Sequence, residues 1–265
     1  MHIAGLHIYP LKSAASWDVD ELEIGLAGPL DDRRWVLMYA SGGFVSQRNC
    51  TLLATIKIMR REGSWFLSFN QQFTKIVEND ALEREIKIYD FRGPVTYYRN
   101  PRLEQKLYHF LGAQVFLASF SATQTRRKVS ASIPHPMPLS AVDNAPLLVT
   151  FSASLARLNG HAGEQFSMKS FRPNIVLAGS LSRSEEKITE LEIGGLTLIR
   201  YQACARCTMI NIDQDEGVFI KPGPFDYLKK MQNLTPQMSG RPNFGVYFYS
   251  IATGIINKSD KVILR

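Results

Sequence analysis

Apolar and polar positions alternate with a period of two in HIAGLHIY, DVDELEIGL, RRWVLMYA, LLATIKIMR, SWFLSFN and EREIKIYD, and each run is bounded by Gly, Ser, Asn or Asp. Such alternation marks strands with one face on a core and the other toward water. Six of them within about the first 90 residues predict a barrel or a sandwich. The period then changes. In NPRLEQKLYHFLG, Leu103, Leu107, Phe110 and Leu111 share one helical face, with Asn100 as N-cap, Pro101 at the first helical position and Gly112 as the stop.

Residues 120–146, FSATQTRRKVSASIPHPMPLSAVDNAP, are rich in Ser, Thr and Pro without a clear period and read as a long loop of the kind that often carries function. Beyond it the pattern predicts a short helix in FSASLARLNG, a strand in FRPNIVLAG, a hairpin across Gly194 and Gly195, a strand around CTMINID, a helix in PFDYLKKMQNL, and closing strands in NFGVYFYSI and DKVILR. Strands dominate both halves. The expected fold is predominantly β, of the α+β class, in two domains that meet near the long loop.

Charge and cysteine content narrow the chemistry. The chain has a net charge of +7 and a pI near 9.3 over 265 residues, yet its cations are scattered, and the densest cluster is Arg126, Arg127 and Lys128. That falls short of the stripe a duplex-binding protein displays, so an anionic small molecule is at least as strong an expectation as nucleic acid, and a nucleic-acid-binding β-barrel rests only on the basic pI and this cluster. No segment approaches the roughly 20 apolar residues that span a bilayer, and the N-terminus reads at once as a strand, not as a signal sequence. A soluble, cytoplasmic protein with no membrane contact is expected. The three cysteines make no disulfide framework, and neither a P-loop nor a G-x-G-x-x-G run is present.

Two of those cysteines, Cys204 and Cys207, stand in CARC. A structural zinc site would want a second pair of ligands, but Cys50 is isolated and the histidines at 2, 7, 109, 135 and 161 form no H-x₃-H pair. A thioredoxin-like pair would want a helix N-terminus, whereas the flanks here look extended. Two small buried residues in a strand is the third reading, and the motif alone leaves all three open. Separately, Lys12 and Ser13 end the first strand in YPLKS, Arg33 and Arg34 open one in DDRRW, Arg48 closes one in FVSQR, and Arg172 precedes a proline in FRPN. Strand ends gather at barrel rims, where Arg forks and a Lys point charge suit a phosphorylated ligand.

YPLKS, LDDRRW, FVSQR, FRPNIVLAG and CARC followed by Asp213 and Gly217 occur in the order and spacing of the MOSC proteins. Over nearly its whole length the chain resembles that family, in particular the YcbX-type proteins and the mitochondrial amidoxime-reducing component. The resemblance implies a MOSC N-terminal β-barrel domain over residues 1–119 and a MOSC β-barrel with a few helices over 120–265. It implies a molybdenum cofactor, a pterin dithiolene with a terminal phosphate. Cys207 would be the thiolate ligand of the metal and the catalytic residue, and Lys12, Ser13, Arg33, Arg172, Asn174, Ala205 and Arg206 would hold the cofactor. The implied reaction is reduction of N-hydroxylated compounds (amidoximes, hydroxylamines, N-hydroxylated bases) with loss of water. No iron–sulfur cluster is expected in this chain, so electrons would come from a separate donor such as a ferredoxin or a flavin reductase. A non-catalytic module that carries molybdenum cofactor or sulfur is the alternative.

Three departures from the family pattern stand out. Where the family has Thr-Thr-Val-Asp-Pro after the cysteines, this chain has TMINIDQDEG, with Ile210 and Asn211 at the threonines and Gln214 at the proline. YYRNPRLEQ replaces a D-x-G motif before the first helix. RSEEKITELEIGG lacks the tryptophan usual before L-x-I-G.

Overall fold

The computed structural model describes the chain except for residues 77–84, 87–94, 121–125, 131–132, 134, 141, 180–184, 186 and 233–239. Most of the run EREIKIYD lies outside the described residues, apart from a short strand at Glu85–Ile86. The other N-terminal runs form strands, but two of them break. DVDELEIGL splits into Trp17–Val19 and Glu21–Gly25. LLATIKIMR begins as a 3-10 turn, Thr51–Thr55, before its strand Lys57–Arg61. The turn has a packing cause: Leu53 and Ala54 are consecutive and both fully buried, which strand alternation does not allow against a single core.

The same logic corrects the strand expected around CTMINID. Thr208–Asn211 is a 3-10 turn, closed by bonds from Ile210 N to Cys207 O (3.3 Å) and from Ile212 N to Met209 O (3.2 Å), and it buries the adjacent Ile210 and Asn211. The helical predictions match the structure. α1 (Pro101–Leu111) starts with Asn100 Oδ1 accepting from Leu103 N at 3.0 Å and stops at Gly112 with φ 69°. α2 (Ser152–Ala162) and α3 (Pro224–Met231) follow in the second half. The hairpin at Gly194–Gly195 pairs Ile193 with Leu196, and both glycines have positive φ (58° and 79°), as a two-residue primed turn requires.

An eight-stranded sheet runs in the order Trp17–Val19, His2–Ile8, Ile175–Ala178, Leu147–Phe151, Asn243–Ser250, Leu196–Ala205, Glu190–Ile193, Val262–Leu264. A three-stranded sheet, Gly254–Asn257 with Glu21–Gly25 and Gly28–Pro29, contributes Leu22, Ile24 and Ile256 to the same apolar core as Leu6, Val149, Phe151, Leu177, Leu198 and Phe248. A second core holds Leu11, Trp35, Leu37, Leu53, Ile56, Trp65 and Leu117. It lies among the sheet of Trp35–Tyr39, Val115–Phe120, Val95–Tyr98 and Glu85–Ile86, the meander Lys57–Arg61, Ser64–Phe69, Gln72–Ile76, and α1, which supplies Leu103 and Leu107.

Sheet membership therefore crosses residue 119. The first strands pair with the second half, His2–Ile8 antiparallel to Ile175–Ala178 and Glu21–Gly25 antiparallel to Gly254–Asn257. The chain passes between cores within three residues, since Ile8 belongs to the first and Leu11 to the second. The expected loop 120–146 is partly structured: Arg126–Lys128 pairs with Met137–Leu139, and Ile133, Met137, Leu139, Val142 and Ala145 form a small cluster on Tyr249. Among the described residues no helix is long and apolar enough to cross a membrane.

Candidate functional site

The crossing between the two cores builds one wall of a cavity of ≈ 120 Å³. After the first strand, Leu11 bridges to Trp35 and Lys12 N donates to Trp35 O at 2.8 Å, which turns the following residues out of the sheet. Asp32 Oδ1 accepts from Tyr9 N at 2.8 Å, and Arg33 N donates to Tyr9 O at 2.8 Å, so DDRRW is tied to YPLKS. Ser13, Arg33 and Arg172 all adopt left-handed backbone, with φ of 62°, 51° and 56°. That conformation costs a non-glycine residue on the order of 1 kcal/mol. Three such costs on one cavity mark a place where geometry was favoured over relaxation.

All eight expected residues line this cavity: Lys12, Ser13, Arg33, Arg172, Asn174, Ala205, Arg206 and Cys207. Two residues of the expected anion set do not. Arg34 pairs with Asp31 at 2.9 Å and lies over the Trp35 and Trp65 rings, and Arg48 is exposed on the surface. Of the basic cluster 126–128, only the side chain of Arg127 is within the described residues, and it is exposed.

The wall is strongly cationic. Lys12, Arg33, Arg172 and Arg206 face the cavity, and among the described residues the one carboxylate on it is Asp143, which meets Lys12 Nζ at 2.7 Å. Arg33 is paired with the buried Asp32 beside it. The guanidinium carbons of Arg33 and Arg172 both lie 4.3 Å from the centre of the Tyr9 ring, on whose face two like charges can be held close. Burial pushes the Arg172 guanidinium down to about 10, with Arg33 and Arg206 adding to the repulsion, and it stays cationic at neutral pH. A surplus of buried positive charge is costly without a partner, so the site suits an anion.

Each remaining residue has a visible task. Asn174 uses both ends on the backbone: Oδ1 accepts from Leu148 N at 3.1 Å, and Nδ2 donates to His7 O at 3.2 Å, stitching the strands on either side. Arg206 donates through Nη1 to Cys204 Sγ at 2.9 Å and through Nη2 to Phe171 O at 2.8 Å. Its Nε is buried, with no hydrogen-bond partner among the described residues. Cys204 is fully buried within Leu196–Ala205, and Tyr247 also bonds its sulfur, while burial pushes the Tyr247 hydroxyl far up. Cys207 is half-buried, free, and sits at the start of the turn Thr208–Asn211. Both cysteines of CARC line the cavity, but Cys204 is fully buried and bonded by Arg206 and Tyr247, whereas Cys207 is half-buried.

Among the described residues no three His, Cys, Asp or Glu side chains gather as a metal-binding group, and Cys50 packs against the N-terminal core. The family departures have structural uses. Ile210 enters a cluster with Leu158, Phe171 and Leu228, and Asn211 caps α3 by accepting from Phe225 N at 2.7 Å and donating to Asp226 at 2.8 Å. Gln214 pairs with Gln47. Asp143, Asp32, Tyr9 and Tyr247 were not singled out from the sequence. The only signals were the doubled aspartate before Arg33 and the position of Asp143 in the long Ser/Pro-rich segment.

Two family models match the chain in order along its length. The model of the MOSC N-terminal beta barrel domain matches residues 1–90, and that of the MOSC domain matches residues 136–263. The human mitochondrial amidoxime reducing component 2 is 29% identical over 276 residues, covering 98% of this chain and 82% of that protein. The human mitochondrial amidoxime-reducing component 1 is 28% identical over 294 residues, covering 99% and 82%. Among solved structures, the YUAD protein from Bacillus subtilis aligns over 98% of this chain and 93% of its own, with a TM-score of 0.41 and 11% identity. With the two domain models matching in sequence order over most of its length, the chain belongs to the MOSC domain proteins, and carries the MOSC N-terminal beta barrel domain ahead of the MOSC domain.

Proposed function

We propose that the chain is a molybdenum-cofactor-dependent reductase of N-hydroxylated compounds, such as amidoximes, hydroxylamines and N-hydroxylated bases, supplied with electrons by a separate protein. The observation that carries this reading is the convergence of a half-buried thiol, Cys207, with Lys12, Arg33, Arg172 and Arg206 on one cavity, although these residues come from four separate stretches of chain. The relatives named amidoxime-reducing components align over 98–99% of the chain. The donor set fits such a group: a thiolate is a soft ligand for the metal, and the cations suit phosphate and pterin oxygens.

Cys207 would hold the metal, Lys12, Ser13, Arg33 and Arg172 the anionic parts, and Ala205 and Arg206 the atoms nearest the thiol. When bound, the group supplies two-electron redox chemistry. The chain's own contribution is position and charge: burial of Arg172 and Arg206 lowers the local dielectric, so their fields act strongly on anionic ligand atoms. Reduction of an N–OH bond consumes two electrons and two protons and releases water. Asp143, exposed on the wall, is held as a carboxylate by Lys12 Nζ and in turn orients that ammonium on the cavity.

The test is molybdenum and pterin analysis of protein from a cofactor-competent host, followed by oxidation of a reduced viologen dye in the presence of an aryl amidoxime. Molybdenum near one per chain with amidoxime-dependent dye oxidation supports the reading. Loaded protein that turns over no N-hydroxylated compound would make the chain a carrier of the cofactor. Well-folded protein with no molybdenum would overturn the reading.

A further inference from the structure

Behind the cationic wall lies a buried pair of side chains that the proposed function does not use. Gln47, fully buried at the end of FVSQR, and Gln214, 8% exposed after the cysteine turn, are 167 residues apart in sequence. Gln47 Nε2 donates to Gln214 Oε1 at 2.9 Å, and Gln214 Nε2 donates to Gln47 Oε1 at 3.0 Å, which closes a reciprocal amide ring. The second hydrogen of each amide is also used. Gln47 Nε2 donates to Ser13 O at 2.8 Å, and Gln214 Nε2 to Ile212 O at 2.9 Å. Arg172 Nη1 approaches Gln214 Oε1 at 3.5 Å and also donates to Ala14 O, next to Ser13.

Every N–H of the pair is therefore satisfied, and its outer bonds end on the Lys12–Ser13 loop, on the segment that follows Cys207, and on Arg172. Two apolar side chains of similar size would fill the same space, and burying a matched amide pair contributes little net stability. What the amides add is direction, because a reciprocal pair has one register and one plane. Two of the residues they reach, Ser13 and Arg172, have left-handed backbone that the surroundings must hold in place.

We infer that Gln47 and Gln214 form a positioning clasp, which sets the distance between the cationic loop and Arg172 on one side and the Cys207 segment on the other. The clasp grips no ligand itself. That the ligand so positioned is a molybdenum cofactor rests on the proposed function; that the clasp orders the Cys207 segment does not.

The experiment compares Gln47→Met, Gln214→Met and the double variant with Leu117→Ala, which opens the N-terminal core away from the cavity. Two quantities are read alongside thermal stability: the rate at which loaded protein loses molybdenum, and the rate at which iodoacetamide alkylates Cys207 in cofactor-free protein, followed by peptide mass spectrometry. Each glutamine variant is expected to lose molybdenum roughly tenfold faster, the equivalent of one lost directional contact. Cys207 alkylation changes with it, the double variant behaves like either single one, and Leu117→Ala lowers stability with neither rate altered. Rates that simply follow stability across all four variants, or glutamine effects that add in the double variant, would overturn the clasp. Should the Met variants not fold, Gln47→Glu keeps an acceptor for Gln214 and loses only the donor to Ser13 O and to Gln214 Oε1, and unaltered alkylation in it would equally overturn the inference. The alkylation arm needs no cofactor, so wild-type protein without molybdenum would sink the proposed function while the clasp is still decided.

Discussion

The core of the eight-stranded sheet and the seam between the two cores bury their residues in opposite ways. The first is apolar throughout, with Leu6, Val149, Phe151, Ile175, Leu198 and Phe248 almost completely out of water. At the seam, within a few residues of one another in space, stand Lys12, Asp32, Arg172 and Arg206, which are the buried charged side chains among the described residues, together with Gln47, Asn174 and Gln214. Apolar burial drives folding at about 25 cal/mol per Å², whereas buried cations oppose it unless they are paired. The difference teaches that the seam is not there for stability. Its polar groups are held by bonds to backbone and to each other, and the charge left over faces the cavity.

That contrast can be broken or sharpened by substitution. The largest effect is expected from Cys207→Ala, which should abolish molybdenum retention as read by elemental analysis, while the cofactor-free protein melts like wild type because the thiol is only half-buried. Leu198→Ala, in the apolar core, should do the reverse: lose about 2–5 kcal/mol in denaturant unfolding, with unchanged molybdenum per folded chain. Arg172→Ala should weaken cofactor retention by roughly 1.5–3 kcal/mol, the worth of a hydrogen bond to a charged group, and retention should fall further than stability does, since a buried cation is removed with its desolvation cost. Cys204→Ala should cost about 1 kcal/mol, because Arg206 Nη1 loses the sulfur it donates to at 2.9 Å, and Cys204→Ser should restore most of it in the same unfolding measurement. Arg48→Ala, on the exposed surface, should change neither the melting temperature nor the molybdenum content. A drop in molybdenum for Leu198→Ala as large as that for Arg172→Ala would erase the distinction between core and seam.

α1 was legible to the residue because Asn100, Pro101 and Gly112 act locally, through a cap, a fixed φ and a left-handed stop. CTMINID was misread because alternation is a statement about two faces, and the packing of Ile210 and Asn211 puts both of these neighbours inside. Of the cations at strand ends, Lys12, Arg33 and Arg172 reach the cavity while Arg34 and Arg48 do not, and nothing in their local sequence separates the groups. The different surroundings of Cys204 and Cys207 were similarly hidden, since both stand in the same four residues and only the end of Leu196–Ala205 sets one apart from the other.

By itself, the sequence determined the β-rich class, the helices with their caps and the glycine hairpin, because periodicity, caps and turn chemistry are interactions between near neighbours. Tertiary structure alone decided that the first strands join the sheet of the second half, that Gln47 meets Gln214, that Asp143 closes onto Lys12, and which cations share one cavity. Those outcomes depend on contacts between residues more than a hundred positions apart, and such contacts form only when two separate apolar cores settle against each other and leave their polar groups at the seam.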